Sequence, residues 1–382
     1  LNFLLESLFS KFSYEGTTSK KVTFSNKLNL IIGQDFSLKE KVIIPEKGLF
    51  QNILITGAIG SGKTSSAMYP ITEQLIAYNS NSSTNKLGML ILDVKGNYYN
   101  QVLEFAKKYN RLDDVIPIQI AGNYKYNPLD NTALKPSVLA NRLKTILLLF
   151  SPNNTESYWI DKSETALAEA IKLCRLYNKK FLSNSFNRNE THDLLSTINF
   201  FEKEFFSLDD RTLNILKSEI TRITNCFISD SDIFSTFCPN KSEINFSGFS
   251  DVINSGKIVV LNMNINEYRN LSKIIATYLK LDFQTEVLKQ LSNGASTSLK
   301  PVAFISDEYS EYVSATDANF FSQSRESKCI NVVSTQSYTS LLNALNNKYS
   351  VEVIVQNLVN KLWFRSDDMF TIEDAQKQLR KN

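Results

Sequence analysis

Histidine is nearly absent from this chain of 382 residues, which contains a single one, His192. A His-rich metal site and a zinc-protease motif of the HExxH type are therefore excluded. A Ser-His-Asp or Cys-His triad would have to use His192, which lies in a polar stretch (Asn178 to His192) that we predict to be a surface loop. The chemistry of the chain must rest on other side chains.

Cysteine is also scarce, with four residues at positions 174, 226, 238 and 329. No two of them form a CxxC pair, and the histidine partners of a mixed zinc site are missing. A disulfide framework is not expected at this chain length and cysteine density. We therefore predict four reduced thiols in a cytosolic environment.

Neither the charge nor the hydropathy of the chain is extreme. The formal net charge is +3, and no apolar run approaches the ~18 to 20 residues of a membrane span. A near-neutral net charge does not indicate a nucleic-acid-binding protein, but it does not exclude one. A protein that forms a ring with a few basic residues lining its pore needs little net charge, because the relevant field is local. The length suggests two or three domains.

The first residues have a pattern of their own. The chain begins at Leu1 and not at methionine, so we expect a fragment whose natural N-terminus is missing. Apolar residues recur at helical spacing from Leu1 to Phe12. Two interpretations remain open: an amphipathic helix that packs on the body, or the stub of a membrane-proximal segment. Residues 1–20 are assigned as an N-terminal membrane-proximal segment.

The rest of the chain divides into three zones. Residues 21–131 alternate short apolar strands with turns and helices, and residues 250–382 return to this pattern. Unbroken apolar strands separated by helices are typical of a parallel sheet covered on both faces. In residues 132–249 apolar side chains recur every three or four positions. We predict an α/β fold with a mostly parallel sheet (21–131 and 250–382), interrupted by an all-α insert domain (132–249).

The clearest motif is the run Gly57-Ala58-Ile59-Gly60-Ser61-Gly62-Lys63-Thr64, which fits G-x-x-x-x-G-K-[ST] at every position. It follows a predicted buried strand and opens a predicted helix, where backbone N–H groups and the helix dipole favour phosphate. Lys63 is predicted to reach the β- and γ-phosphates of ATP, and the Thr64 hydroxyl to bind Mg²⁺. The predicted nucleotide-binding residues are Gly57, Gly60, Ser61, Gly62, Lys63, Thr64 and Ser65.

An acidic pair supplies the second part of such a site. Asp307 and Glu308 follow the apolar strand Val302 to Ser306, at the end where α/β sheets place their ligand crevice. Asp307 is suited to orient Mg²⁺ through water, and Glu308 to activate the attacking water as general base. Asp93 also ends a buried strand and is the competing candidate for the metal side.

Two further polar residues lie beyond the acids. Gln336 ends an apolar strand, where it can sense a γ-phosphate or hold the attacking water. Arg325 lies on the predicted helix between these strands, from which it can reach the nucleotide of a neighbouring subunit. From spacing alone, a capping glutamine and a surface arginine are equally good interpretations.

Taken together, these motifs resemble the type IV secretion coupling proteins (TraG/TraD-like), in the FtsK–HerA branch of RecA-like motor ATPases. Further matches are Leu92-Asp93-Val94-Lys95-Gly96, similar to the family's Asp-Pro-Lys-Gly, and Tyr126-Asn127-Pro128-Leu129, similar to its Phe-Asn-Pro-Leu. Tyr158-Trp159 resembles the start of the family's all-α domain. The motifs stand in family order from about Leu30 to Asp374, although Val94 replaces the usual proline and the chain ends early.

The resemblance implies a RecA-like fold and a bacterial ATPase that uses ATP and Mg²⁺. It implies a homo-hexamer at the cytoplasmic face of a secretion channel in the cell membrane, with a monomer expected for a soluble fragment. Its partners would be DNA bound without sequence preference, a relaxase or other secretion substrate, and channel components. Carried over by position, Arg325 would be an arginine finger acting in trans and Gln336 the sensor.

Two other functions stay open at this stage. One is an FtsK/HerA-like DNA translocase of segregation or repair, against which the helical insert and the Asn-Pro-Leu match argue. The other is a nucleotide-binding substrate receptor without motor activity, against which the intact Lys63, Asp307 and Glu308 argue. For DNA contacts, residues 97–108 offer two tyrosines and two lysines, Tyr98, Tyr99, Lys107 and Lys108, which a solvated helix face explains equally well.

Overall fold

The computed structural model describes residues 27–93, 95–150, 157–183, 186–292 and 299–380. The predicted N-terminal helix, the first predicted strand (22–24) and Val94 lie outside these ranges. Within them, no helix is both long enough and apolar enough to cross a membrane.

A seven-stranded parallel sheet forms the centre of the described structure. Its strands are β3 (Ile53–Thr56), β4 (Gly88–Leu92), β5 (Val115–Ile118), β6 (Ile258–Leu261), β7 (Val302–Ser306), β8 (Cys329–Thr335) and β9 (Asn360–Trp363). They follow the order β5-β6-β4-β7-β8-β3-β9, and each neighbouring pair is parallel. A separate antiparallel hairpin, β1 (Asn29–Gln34) and β2 (Lys41–Pro45), precedes the sheet. The predicted α/β fold with a mostly parallel sheet is confirmed.

Burial on both faces explains why the central strands are apolar throughout. Every residue of β3, β4, β6 and β7 is buried. Alternate side chains feed two separate cores: Leu54 and Phe304 belong to one, Ile53 and Ile305 to the other. A strand that is covered on both sides loses the alternation of apolar and polar residues, so its sequence is a continuous apolar run.

Helices cover the two faces. The helices that flank the strands are α1 (Glu46–Leu49), α2 (Tyr69–Ala77), α3 (Tyr98–Lys108), α9 (Phe249–Ser255), α10 (Ile265–Tyr268), α11 (Asn270–Ser292), α12 (Asp317–Gln323), α13 (Tyr338–Leu345), α14 (Lys348–Asn357) and α15 (Met369–Leu379). Between β5 and α9 lie α4 (Pro136–Phe150), α5 (Ser157–Ser183), α6 (Arg188–Phe200), α7 (Asp210–Ile228) and α8 (Ser231–Phe237). The described residues of the predicted insert are thus mostly helical, while its exact boundaries remain a prediction.

The surface loop predicted from Asn178 to His192 is wrong. Helix α5 continues to Ser183, and α6 begins at Arg188, so that His192 is helical. A capping box starts α6: Asn187 Oδ1 accepts from the Glu190 N–H, and Glu190 Oε2 accepts from the Asn187 N–H. Because this reciprocal pair satisfies two otherwise unpaired amide groups, a polar sequence can begin a helix here.

A buried ion pair ties the long helix α11 to the segment that follows the acidic pair. Lys280 and Asp317 are both inaccessible to solvent, and their Nζ and Oδ2 atoms lie 2.6 Å apart. The same Oδ2 accepts from the Tyr309 hydroxyl at 2.6 Å, and Oδ1 accepts from Gln284 Nε2 at 3.0 Å. The cluster therefore fixes the backbone immediately downstream of Glu308 against the helix layer.

Replacing Asp317 by alanine should lower the free energy of unfolding by about 3–5 kcal/mol, because it leaves the Lys280 ammonium buried without its counter-charge. Urea unfolding monitored by circular dichroism measures the change. The matched control is Glu286→Ala, which removes the half-exposed pair with Lys289 on the same helix α11 and should cost less than about 1 kcal/mol. Equal effects of the two variants would contradict the structural role of Asp317.

Candidate active site

A glycine-rich turn follows β3 and opens the helical segment beneath it. Residues 57–63 form the turn, a π-helical turn spans Thr64–Met68, and α2 continues to Ala77. The turn is tied to the edge of the sheet, since the Ala58 N–H donates to the carbonyl of Arg365 at 2.7 Å. The predicted sequence of strand, glycine turn and helix is present, and it lies at the carboxyl ends of the parallel strands.

Glycine is needed at three positions of this turn. Gly60 and Gly62 have φ angles of 75° and 89°, which side-chain-bearing residues rarely adopt. A Cβ on Gly57 would lie 2.5 Å from the Cβ of Phe364 and 2.7 Å from the Ser61 Oγ. The backbone can therefore curl tightly enough to turn successive N–H groups toward an anion.

Lys63 is folded over this turn. Its Nζ donates to the carbonyls of Gly57 at 2.6 Å and Ala58 at 3.3 Å, and only 6% of the residue is exposed. Burial lowers the pKa of Lys63, against the charges of Glu308 and Asp307, which raise it. An ammonium group held on two neutral carbonyls keeps its charge available for a phosphate.

Two serines lie beside the predicted phosphate site, Ser61 within the turn and Ser65 just after it. The Ser61 Oγ is buried and has no hydrogen-bond partner within the described residues. The Ser65 Oγ is exposed and donates to the Gly62 carbonyl at 3.3 Å. A buried hydroxyl without a partner is costly, so its presence fits a site whose polar ligand comes from outside the chain.

The metal-side residues meet as the sequence predicts. Thr64 Oγ1 donates to Asp307 Oδ2 at 2.9 Å, and the Asp307 N–H donates to the Leu92 carbonyl at 3.0 Å. One hydroxyl and one carboxylate do not enclose a cation, and the described residues contain no group of three or more His, Cys, Asp or Glu that could. This sparse set fits Mg²⁺, which keeps several waters and takes its other ligands from substrate phosphates.

Glu308 occupies a strained position between two polar partners. Its backbone is left-handed, with φ 48° and ψ 48°, a conformation that costs a non-glycine residue about 1–3 kcal/mol and is concentrated at functional sites. Its Oε1 accepts from Lys95 Nζ at 3.1 Å, and its Oε2 accepts from Gln336 Nε2 at 3.3 Å. The structure thus brings Gln336 to Glu308, while Lys95 is a site residue that the motif analysis missed.

Asp93 has a different role from Asp307, although both end neighbouring strands. The Asp93 carboxylate accepts from the backbone N–H of Lys95 at 3.0 Å and from that of Tyr98 at 3.2 Å, and it is 1% exposed. Burial raises the pKa of Asp93, and these two backbone hydrogen bonds lower it. The carboxylate is used to shape the turn that presents Lys95, so the geometry favours Asp307 for the metal side.

The predicted placement of Arg325 on a helix is wrong. Helix α12 ends at Gln323, and Arg325 lies exposed in the turn that leads into β8. The helix stops because the Ser324 hydroxyl is buried against the Asn331 side chain, which donates to it at 2.9 Å. Arg325 precedes the first residue of β8, whereas Glu308 lies near its last, about 20 Å away along seven strand residues. Arg325 therefore cannot serve the site of its own chain.

Comparisons with known proteins identify this architecture. Neither the protein-family models nor the curated proteins contain a match to the sequence. Among solved structures, the bacterial conjugative coupling protein TrwBdeltaN70 in its unbound monoclinic form superposes with a TM-score of 0.61 at 14% identity, covering 95% of this chain and 78% of that one. This chain has the fold of a type IV secretion coupling ATPase.

Three other solved structures are similar to this chain. TrwB in complex with a non-hydrolysable ATP analogue, ADPNP, gives a TM-score of 0.60 at 15% identity and covers 95% of this chain and 79% of that one. VirB4 of Thermoanaerobacter pseudethanolicus gives 0.52 at 14% identity, covering 92% of this chain and 88% of that one. A further TrwB structure is a complex with ADP and Mg²⁺.

Proposed function

We propose that this chain is a P-loop ATPase that acts as the coupling protein of a type IV secretion or conjugation system. The observation that carries the proposal is the meeting of Thr64 with Asp307, 2.9 Å apart, beside the Lys63 turn and the Glu308–Gln336 pair. Phosphoryl transfer needs this combination of phosphate cradle, metal side and water-activating side. The fold shared with TrwB, a plasmid coupling protein with structures bound to nucleotide, supports the same assignment.

Each proposed role follows from where the side chain lies. Lys63 leaves the loop carbonyls to bind the β- and γ-phosphates of ATP, together with N–H groups of the turn other than those of Ala58 and Ser61, which already donate to carbonyls. Thr64 and Asp307 would hold Mg²⁺, which supplies charge neutralisation at the phosphates. Glu308 accepts the proton of the attacking water, and Gln336, bonded to Glu308, orients that water.

Arg325 is proposed to complete the site of a neighbouring subunit in a homo-hexamer. Its exposed position before the first residue of β8, at the amino ends of the strands, suits contact with another copy rather than with its own nucleotide. The hexamer would stand at the membrane and drive DNA, a relaxase complex or another secretion substrate into the channel. The residues that contact DNA would track its backbone without sequence preference.

The test of this function is ATP turnover by the purified protein, alone and with single-stranded or double-stranded DNA. Hydrolysis that DNA accelerates is the expected result, and it should depend on protein concentration because assembly completes the site. Absence of hydrolysis under all these conditions, including induced oligomerisation, would contradict a motor and favour a receptor that only binds nucleotide.

Arg325→Ala should leave ATP binding intact and reduce hydrolysis by about 10³-fold, the usual loss for an arginine finger. Mixing this variant with Lys63→Ala should restore part of the activity, because the first supplies an intact site and the second an intact arginine. Glu326→Ala, an exposed neighbour in the same turn, is the matched control and should retain full activity. Wild-type hydrolysis by the Arg325 variant would contradict the assignment.

A further inference from the structure

The contact between Lys95 and Glu308 is not explained by the proposed roles. Each oxygen of Glu308 already accepts one hydrogen bond, Oε1 from Lys95 at 3.1 Å and Oε2 from Gln336 at 3.3 Å, so an attacking water would share the carboxylate with two donors. Two donors from different segments therefore hold the proposed base in place.

We propose that Lys95 exchanges partners during the ATPase cycle, holding Glu308 in the nucleotide-free state and moving to the γ-phosphate when ATP binds. The exchange rests on the proposed ATPase function and adds one residue to it. Its consequence is that the triphosphate itself releases the base, so that the site becomes competent only when there is a phosphate to transfer.

Lys95 lies at the proposed nucleotide site by its contacts. Its Nζ is 3.1 Å from Glu308 Oε1, and the next residue along the chain from Glu308 toward the N-terminus, Asp307, accepts from Thr64 Oγ1 at 2.9 Å. Lys95 also acts on Lys63, the residue proposed to bind the γ-phosphate: the charge of Lys95 contributes to lowering the pKa of Lys63. A γ-phosphate between these groups would present Lys95 with a more negative partner than one carboxylate.

The two partners differ in exposure and in backbone conformation, which sets the direction of the exchange. The Lys95 side chain is 55% exposed, whereas that of Glu308 is 11% exposed and attached to a strained backbone. The Lys95 backbone is anchored, because Asp93 accepts from its N–H, and Gly96 follows with a φ of 72°. The ammonium of Lys95 is carried on a flexible four-carbon side chain, so it can change position while its backbone and the Glu308 carboxylate stay in place.

The discriminating measurement is a double-mutant cycle in nucleotide binding. Affinities for ADPNP and for ADP, each with Mg²⁺, are measured by calorimetry for wild type, Lys95→Met, Glu308→Gln and the double variant. If Lys95 must leave Glu308 to bind the triphosphate, part of the binding free energy is used to break the Lys95–Glu308 pair. Glu308→Gln removes this cost, but only in a chain that still contains Lys95. We expect Glu308→Gln to tighten ADPNP binding about fivefold in the wild-type background and less than about twofold in the Lys95→Met background.

The opposite sign would overturn the exchange. If Lys95 stays on Glu308, its charge already offsets the repulsion between that carboxylate and the triphosphate. Glu308→Gln would then tighten ADPNP binding more in the Lys95→Met background, where this repulsion is not offset, than in the wild-type background. Such a result would leave the proposed ATPase intact as long as the wild type hydrolyses ATP. A wild type that binds neither nucleotide would instead contradict the proposed function, and the exchange with it.

Three controls separate an electrostatic role from a structural one. ADP affinity should change less than twofold in every variant, because ADP has no γ-phosphate for Lys95 to bind. Lys95→Arg keeps the cation and should restore the wild-type sign of the coupling, which a merely misfolded turn would not allow. Lys107→Met, an exposed lysine near the end of α3, should bind both nucleotides as the wild type does. A variant at Lys95 that weakens ADP and ADPNP equally would contradict the proposal.

Discussion

Glu308→Gln is expected to bind ATP at least as tightly as the wild type and to hydrolyse it about 10²- to 10⁴-fold more slowly. The amide keeps the size of the carboxylate and one of its two acceptor oxygens, while Lys63 and Asp307 keep their own partners in the glycine-rich turn and at Thr64. What it loses is the ability to accept a proton from the attacking water. Steady-state phosphate release measures the loss of hydrolysis, and calorimetry measures the affinity for ATP.

The matched control for Glu308→Gln is Glu311→Gln, three residues downstream. Glu311 is paired with Lys273 at 2.5 Å, away from the loop that binds phosphate, and its replacement should leave turnover unchanged. Loss of ATP affinity together with activity in the Glu308 variant would show that this residue holds the site together rather than acting as the base. Unchanged turnover would remove Glu308 from the mechanism altogether.

Lys63→Ala should reduce hydrolysis by roughly 10²- to 10³-fold or more and, unlike the Glu308 variant, should also weaken ATP binding. The ammonium is the only lysine charge that contacts the turn itself among the described residues, through the carbonyls of Gly57 and Ala58. Its loss leaves the β- and γ-phosphates without a direct cationic partner in the cradle. Affinity for ADPNP and single-turnover hydrolysis report the two effects.

The fold of the Lys63 variant must be checked, because Lys63 is 6% exposed and its burial is compensated by the loop carbonyls. Removing a buried ammonium relieves desolvation, so the unfolding temperature should not fall. Lys86→Ala gives a contrasting control: this lysine pairs with Asp114 at 2.7 Å near the C-terminal end of α2, where Arg111 joins Asp114 to the Ile76 carbonyl, and its loss should affect stability more than activity. If Lys63→Ala binds ATP as tightly as the wild type does, the proposed role of Lys63 in binding the phosphates is contradicted.

The central sheet and its phosphate loop were predictable because they depend on local rules. Continuous apolar runs at β3, β4 and β7 predict strands buried on both sides, and the glycines of the turn have few alternatives to a tight curl. The meeting of Thr64 and Asp307 followed from two motifs that must share one crevice. For these parts, the residues of each short segment are sufficient to predict its local structure.

The parts that the sequence did not reveal depend on relations between segments. Lys95 reaches Glu308 only because β4 and β7 pair in register, Leu92 beside Ser306, although the residues are far apart in the chain. Arg325 leaves its helix because Ser324 is held by Asn331, a partner on the following strand. Helix α6 was missed for a different reason: its Asn187 and Glu190 capping box is local, but it lies within a polar stretch that resembles a loop.

The strand order has a consequence for how such a protein can change over evolutionary time. Helices α4 to α9 connect β5 with β6, which are adjacent at one edge of the sheet, while β3 and its phosphate loop stand four strands beyond β6. Substitutions on the exposed faces of those helices therefore fall on a crossover at the opposite side of the sheet from β3. Such substitutions can accumulate in evolution while the glycine-rich turn keeps its geometry.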